Sequence, residues 1–87
     1  MIAWSEEKNE ILKRERGLSF EDAEAEINAN RLLDLIPHPS RVNQRIYIIR
    51  LHGYAHAVPF VTDVNGDVFL KTIYPARNFQ EKYGGQL

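Results

Sequence analysis

The Asn65-Gly66 dipeptide is the strongest local structural signal in this chain. Asn and Gly both tolerate a positive φ angle, so the pair suits the type I′ turn that joins two antiparallel strands. Segments rich in β-branched and aromatic residues lie on either side of it, at residues 54–63 and 68–74. We therefore predict a β-hairpin over these two segments, with a type I′ turn at Asn65-Gly66.

Three further segments are predicted to be strands. Residues 44–51 are again rich in β-branched residues, and residues 31–36 end where Pro37 and Pro39 block a strand. Residues 2–4 form a short apolar edge strand. His52-Gly53 is predicted to be a tight turn, and Pro59 to mark a bulge or an unpaired side of its strand. Because the connections between neighbouring strands are short, and a parallel crossover needs about a dozen residues, we expect antiparallel pairing.

Serine and glycine residues mark the predicted helices. Ser5 is expected to begin a helix that runs to Arg16 and ends at Gly17. Ser19, followed three residues later by Asp22, fits a capping box and begins a second helix that ends near residues 28–30. Residues 78–83 are expected to add one or two helical turns before Gly84-Gly85. The predicted fold class is α+β: a twisted antiparallel sheet of about four to five strands, with two N-terminal helices on one face and a short C-terminal helix.

The length and composition indicate one globular domain over residues 1–87. Hydrophobic residues make up 44% of the chain, and the absence of cysteine excludes disulfides and thiolate metal sites. No membrane span is predicted, because Arg50 interrupts the longest apolar run. Glu6 and Glu7 stand where a signal peptide would need apolar residues, so we expect a cytoplasmic location.

The charge is unevenly distributed. The net charge of −1 argues against tight nonspecific binding to nucleic acid. Residues 1–26 contain eight acidic and four basic residues, whereas residues 27–87 contain four acidic and seven basic residues. Either the second part carries a functional basic face, or the helices of the first part simply carry solvated acidic side chains.

Two groups of residues, one near each end of the chain, form recognisable motifs. The first is Trp4-Ser5-Glu6-Glu7-Lys8-Asn9 with Gly17-Leu18-Ser19-Phe20-Glu21-Asp22-Ala23, and the second is Ile73-Tyr74-Pro75-Ala76-Arg77 with Tyr83. In order and spacing they resemble the BrnT family of bacterial toxins over nearly the whole chain. One difference is that Arg16 stands where the family usually has a histidine.

The resemblance implies a fold similar to that of RelE-type ribonucleases and the toxin of a type II toxin–antitoxin system. The implied activity is metal-independent cleavage of RNA, which inhibits translation and growth and needs no cofactor. The implied partners are a BrnA-like antitoxin, an RNA substrate and, only through the antitoxin, operator DNA. Two other hypotheses are a non-catalytic binding module that acts with its antitoxin as a corepressor, and a globular domain that pairs its exposed strand edge with another chain.

Cleavage of RNA by its own 2′-hydroxyl requires a base, an acid and cations around the phosphate, but no metal. Arg77 follows the last predicted strand and is the leading candidate for the phosphate, although it could instead pair with Glu81. The other candidate catalytic residues each have a structural alternative. Strand alternation puts Lys71 on one face with Phe69 and Ile73, where it could be a solvated edge lysine. His56 could be a half-buried strand residue, and Tyr83 an anchor of the last helix.

Arg45 and Arg50 are candidate RNA-binding residues. Five positions separate them on one predicted strand, so they point to opposite faces, and only one can share a face with Arg77. A Ser-His-Asp site is not supported: His38 and Ser40 share a loop, but no acidic residue is placed to orient the histidine. The chain also has no glycine-rich phosphate loop.

Overall fold

The computed structural model describes residues 1–84. These residues contain three helices and six strands, which confirms the predicted α+β class with slightly more strands than expected. Gly85, part of the predicted end of the last helix, lies outside the described residues. In chain order the elements are β1 (Ile2–Trp4), α1 (Glu6–Arg16), α2 (Phe20–Asn28), β2 (Leu32–Pro37), β3 (Gln44–Leu51), β4 (Tyr54–Thr62), β5 (Val68–Leu70), β6 (Tyr74–Pro75) and α3 (Arg77–Tyr83).

The strands form one sheet in the order β1-β5-β4-β3-β2, and β6 also pairs with β4. All pairs but one are antiparallel, as predicted. The exception is β1, which runs parallel to β5 with Ala3 opposite Phe69. Short connections do not constrain this pair, because most of the chain lies between the two strands and leaves ample length for a crossover.

The positions of the two hairpins are confirmed, but the type I′ turn lies at the first of them. His52 and Gly53 both have positive φ angles, of 54° and 75°. In the second hairpin only Gly66 does, at 84°, and its N–H donates to the carbonyl of Asp63 at 3.0 Å. This is a type I turn followed by a left-handed glycine. The Asp63 carboxylate accepts the N–H of Asn65 at 2.8 Å and so favours this turn over the predicted type I′ turn.

The helix ends follow the predicted caps. The Ser5 hydroxyl accepts the N–H of Lys8 at 3.2 Å, and the Ser19 hydroxyl accepts the N–H of Asp22 at 3.1 Å. Gly17 ends α1 in the left-handed conformation, with a φ of 65°. No helix within residues 1–84 is long and apolar enough to cross a membrane.

The sheet buries hydrophobic side chains on both faces. The first face packs against α1 and α2, which confirms the predicted position of both N-terminal helices; its main buried residues are Leu12, Leu18, Phe20, Ala23, Ile49, Leu51, Val58, Phe60, Leu70 and Ile73. The second face packs against α3 through Ile46, Ile48, Ala55, Ala57, Ala76 and Phe79. Arg45 lies opposite Phe60 on the first face and Arg50 opposite Ala55 on the second, as their spacing predicted.

The predicted strand at residues 68–74 is interrupted after Leu70. The N–H of Lys71 donates to the carbonyl of Pro59 at 2.8 Å, and β6 then pairs with β4 over only two residues. Pro59 faces this interruption, where its missing N–H removes no ladder hydrogen bond. The prediction that Lys71 and Ile73 share a face is therefore wrong, since Lys71 is exposed and Ile73 is fully buried.

Candidate functional site

Two adjoining clefts open on the second face, beside the first turn of α3. The apolar cleft has a volume of about 330 Å³ and is lined by Ile36, Pro39, Ile46, Ile48, Ala57, Tyr74, Pro75, Ala76, Arg77, Asn78 and Phe79. The basic cleft has a volume of about 420 Å³ and is lined by His38, Arg41, Gln44, Pro59, Lys71, Thr72 and Tyr74. Tyr74 is 37% exposed and lines both clefts, which therefore adjoin at this residue.

The basic cleft concentrates positive charge. His38, Arg41 and Lys71 line it, and no carboxylate is among the described residues of its wall. Lys71 lies on the same face as Phe69, as strand alternation from β5 places it, whereas Ile73, beyond the interruption after Leu70, packs on the first face. The Lys71 ammonium lies 5.6 Å from the centre of the Phe69 ring, a cation–π distance that restricts where the ammonium lies.

Arg77 is the first residue of α3 and lines the apolar cleft. The start of the helix is fixed to β4, because the N–H of Ala76 donates to the Ala55 carbonyl at 2.9 Å and the Gln80 amide oxygen accepts the Ala55 N–H at 2.8 Å. Arg77 itself is exposed. The helix dipole favours anions at this end of a helix, so helix stability does not explain a cation there.

His56 lies on the first face, away from both clefts. It is 6% exposed, and its Nδ1 lies 2.8 Å from the carbonyl oxygen of Tyr54. A carbonyl can only accept, so Nδ1 carries the proton and Nε2 carries the lone pair. Burial is the main cause that lowers the pKa of His56, and His52 lowers it further, while the bond to Tyr54 opposes the shift. The imidazole is thus in the form of a base, but on the face opposite to Arg77 and Lys71.

Tyr83 connects α3 to β2. Its hydroxyl donates to the Asp34 carboxylate at 2.9 Å, and its ring stacks on Phe79 with 6.3 Å between ring centres. These contacts favour the structural alternative, in which Tyr83 anchors the last helix on the sheet.

The two candidate RNA-binding arginines are separated by the sheet. The Arg45 guanidinium lies 5.3 Å from the centre of the Phe60 ring on the first face, beside a third cleft that also includes Val61. Arg50 is exposed on the second face, near the His52-Gly53 turn. The structure therefore brings Arg77, Lys71 and Arg50 to one face, and leaves His56 and Arg45 on the other.

His38 and Arg41 were not among the site residues predicted from the sequence. Their loop was recognisable from Pro37 and Pro39, but its position over the second face depends on how β2 pairs with β3. Among residues 1–84, no three His, Asp or Glu side chains are grouped as ligands for a metal ion.

The fold matches that of a solved ribonuclease toxin. The 1.1 Å crystal structure of the Brucella abortus ribonuclease toxin BrnT aligns with a TM-score of 0.62 and 21% sequence identity, over 86% of this chain and 94% of that one. The chain has the BrnT fold. The fold that the two sequence motifs implied is thereby confirmed. No family model matches the sequence, and no curated protein matches it.

Within this BrnT fold, the N-terminal motif residues are structural. Asn9 is fully buried; its side-chain oxygen accepts the N–H of Phe20, and its side-chain nitrogen donates to the Glu21 carboxylate, both at 2.8 Å. Arg16, in place of the usual histidine, donates to the carbonyl of Ile73 at 3.0 Å and so connects the two motifs. The motif therefore determines how α1, α2 and the end of the sheet fit together.

Proposed function

We propose that this protein is the toxin of a bacterial toxin–antitoxin pair and acts as a ribonuclease. The observation that carries the proposal is the position of Lys71 and Arg77, on one face of a BrnT fold, in two clefts that share Tyr74. The Brucella abortus BrnT protein, whose fold this chain shares, is a ribonuclease toxin. The carboxylate-free wall of the basic cleft suits a polyanion such as RNA.

The proposed reaction is cleavage of RNA by its own 2′-hydroxyl. The 2′-oxygen attacks phosphorus as a base removes its proton, and the bond from phosphorus to the 5′-oxygen breaks as that oxygen takes up a proton. The products are a 2′,3′-cyclic phosphate and a 5′-hydroxyl. Negative charge grows on the non-bridging oxygens in the transition state, where the Arg77 guanidinium and the Lys71 ammonium stabilise it. The reaction requires no metal or cofactor.

The proposed substrate is single-stranded. The exposed ring of Tyr74 offers a surface on which an unpaired base can stack, and the apolar cleft beside it can hold a second base. Arg50, on the same face, is proposed to contact the RNA backbone further along. His56, Tyr83 and Arg45 line neither cleft, and their roles in catalysis or RNA binding stay predictions.

The proposed partner is a BrnA-like antitoxin that covers the second face. An acidic segment of the antitoxin would complement His38, Arg41 and Lys71 and exclude RNA from them. Operator DNA would be bound by the antitoxin and not by this chain. The expected sign of such a partner is co-elution with the product of the adjacent gene.

Substitution of Arg77 by alanine tests the ribonuclease proposal. We expect the rate of RNA cleavage to fall by about 10²- to 10³-fold, because one charge-stabilising group is lost from the transition state. Since Arg77 is exposed, the free energy of unfolding should change by only about 0.5 kcal/mol. Both are measured on purified protein, with cleavage of a defined RNA followed in the presence of chelator and unfolding followed by thermal melting.

Lys82→Ala is the matched control, because Lys82 is an exposed cation on the same helix that lines neither cleft. It should cleave RNA and arrest growth like the wild type. If Arg77→Ala does the same, the assignment of Arg77 is wrong. If the wild type binds its antitoxin but never cleaves RNA, the corepressor hypothesis becomes the better one.

A further inference from the structure

His38 is held in one tautomer by its own loop. Its Nδ1 accepts the backbone N–H of Ser40 and that of Arg41, each at 3.1 Å. A ring nitrogen that accepts amide N–H groups carries a lone pair, so the proton of the neutral ring lies on Nε2. The ring therefore presents one hydrogen-bond donor, Nε2–H, and the backbone fixes this arrangement before any ligand arrives.

The loop that carries His38 is closed at its base. The N–H of His38 donates to the Gln44 carbonyl at 3.0 Å, and the N–H of Gln44 donates to the Arg41 carbonyl at 3.2 Å. Pro37 and Pro39 flank His38 and restrict the backbone further. The half-buried His38 ring and the exposed Arg41 side chain both line the basic cleft, on the same side as Lys71.

We propose that His38 and Arg41 form a binding subsite for a phosphodiester of single-stranded RNA, next to the phosphate that is cleaved. The inference rests on the proposed ribonuclease function, whose reacting phosphate we place near Arg77 and Lys71. His38 Nε2–H and the Arg41 guanidinium donate to the non-bridging oxygens, which only accept hydrogen bonds. The described wall of the cleft contains no carboxylate that would repel the phosphate.

His38 acts in this subsite as a binding residue and not as an acid or base. Two amide N–H groups already occupy the Nδ1 lone pair, so the ring offers a ligand only its Nε2–H donor. Loss of the donor should therefore weaken RNA binding and raise KM, while kcat changes little.

Two substitutions of His38 test its two ring nitrogens separately: Nε2–H, which donates to the ligand, and Nδ1, which accepts the N–H groups of its own loop. In His38→Asn, the side-chain oxygen can still accept the N–H groups of Ser40 and Arg41, as Asn does in turns, but the Nε2–H donor is lost. In His38→Gln, the side-chain amide can replace the outward donor, but the Nδ1 acceptor is lost. The probe is a fluorescent, single-stranded 2′-O-methyl oligoribonucleotide, which the protein cannot cleave because its 2′-oxygens are blocked.

We expect His38→Asn to melt like the wild type and to bind the probe about tenfold more weakly, the effect of one hydrogen bond to a charged acceptor. Arg41→Ala should also weaken binding and reduce the dependence of log Kd on log salt concentration by about one unit. A base-paired form of the same probe should bind more weakly than the single strand, since its bases cannot stack on Tyr74.

The subsite would be overturned if His38→Asn bound the probe like the wild type while His38→Gln lowered the melting temperature. That result would indicate that His38 only anchors its own loop through Nδ1. Failure of the wild type to bind the probe would overturn it as well. If His38→Asn and Arg41→Ala weaken binding of the probe but the wild type does not cleave unmodified RNA, the ribonuclease proposal fails and His38 and Arg41 stand as an RNA-binding subsite only. If it cleaves RNA and His38→Asn leaves KM unchanged, the subsite fails and the ribonuclease proposal stands.

Discussion

Asn9 is a polar side chain buried between α1 and α2, and its replacement by alanine is expected to destabilise the protein strongly. Its side-chain oxygen accepts the N–H of Phe20 at 2.8 Å, and both residues are fully buried. Phe20 is the first residue of α2, and amide groups in the first turn of a helix have no partner within that helix. Asn9 therefore supplies from α1 a hydrogen bond that α2 cannot make for itself.

The expected loss in free energy of unfolding follows from the unpaired Phe20 N–H and the small cavity that the Asn9→Ala substitution leaves. A buried N–H without an acceptor costs about 1–3 kcal/mol. The second bond of Asn9, to the Glu21 carboxylate, contributes less, because that carboxylate is exposed and can turn to water. Adding the small cavity left by the amide group, we expect the free energy of unfolding to fall by roughly 2–3 kcal/mol. For a domain of this size, that lowers the melting temperature by on the order of 10–20 °C.

Thermal and urea unfolding of the purified variants provide the assay. Glu21→Gln is the matched control, since it removes the charge but keeps an acceptor for the Asn9 amide, and it should melt within a few degrees of the wild type. If Asn9→Ala melts within about 3 °C of the wild type, the loss is well below 1 kcal/mol. The reasoning from an unsatisfied buried N–H would then be refuted.

Two further predictions concern the other candidate residues. Because burial lowers the folded-state pKa of His56 below its usual 6.5, the unfolded chain binds that proton more readily. The free energy of unfolding should then fall as the pH drops below about 6.5, and His56→Gln should flatten this part of a melting-temperature series taken between about pH 8 and pH 5. Tyr83→Phe removes the hydrogen bond to Asp34 and should lower stability by about 1 kcal/mol without reducing RNA cleavage; loss of cleavage at unchanged stability would instead indicate a catalytic tyrosine.

Features that depend on nearby residues could be predicted from the sequence. Each serine cap is a bond between residues three positions apart, and the left-handed Gly17 follows directly from the end of its helix. The parallel pairing of Ala3 with Phe69 could not be predicted, since it depends on residues 66 positions apart in the chain. The turn at Asn65-Gly66 shows the same limit on a smaller scale, because the Asp63 side chain selects a different turn from the one that the dipeptide favours.

The candidate site was predictable in residue type more than in position. Arg77 and Lys71 were identified as cations near the end of the sheet, and the structure brings both to its second face. Strand alternation predicted that Lys71 and Ile73 share a face, because it assumes a β-ladder that continues through residues 68–74. The ladder in fact ends at Leu70. His38 carried no signal in the sequence, since its tautomer depends on backbone N–H groups whose direction only the folded loop defines.

The two sequence motifs carry different kinds of information about this protein. In the N-terminal motif, Asn9 fixes α1 against α2. A resemblance based on these residues therefore predicts the fold but does not indicate catalytic activity. Arg16 illustrates this point: it stands where BrnT-type toxins usually have a histidine, and its guanidinium donates to the Ile73 carbonyl, between residues that line the two clefts. The departure at Arg16 therefore does not weaken the ribonuclease proposal, which depends on the second face. That proposal has to be judged on Arg77 and the cations of the basic cleft.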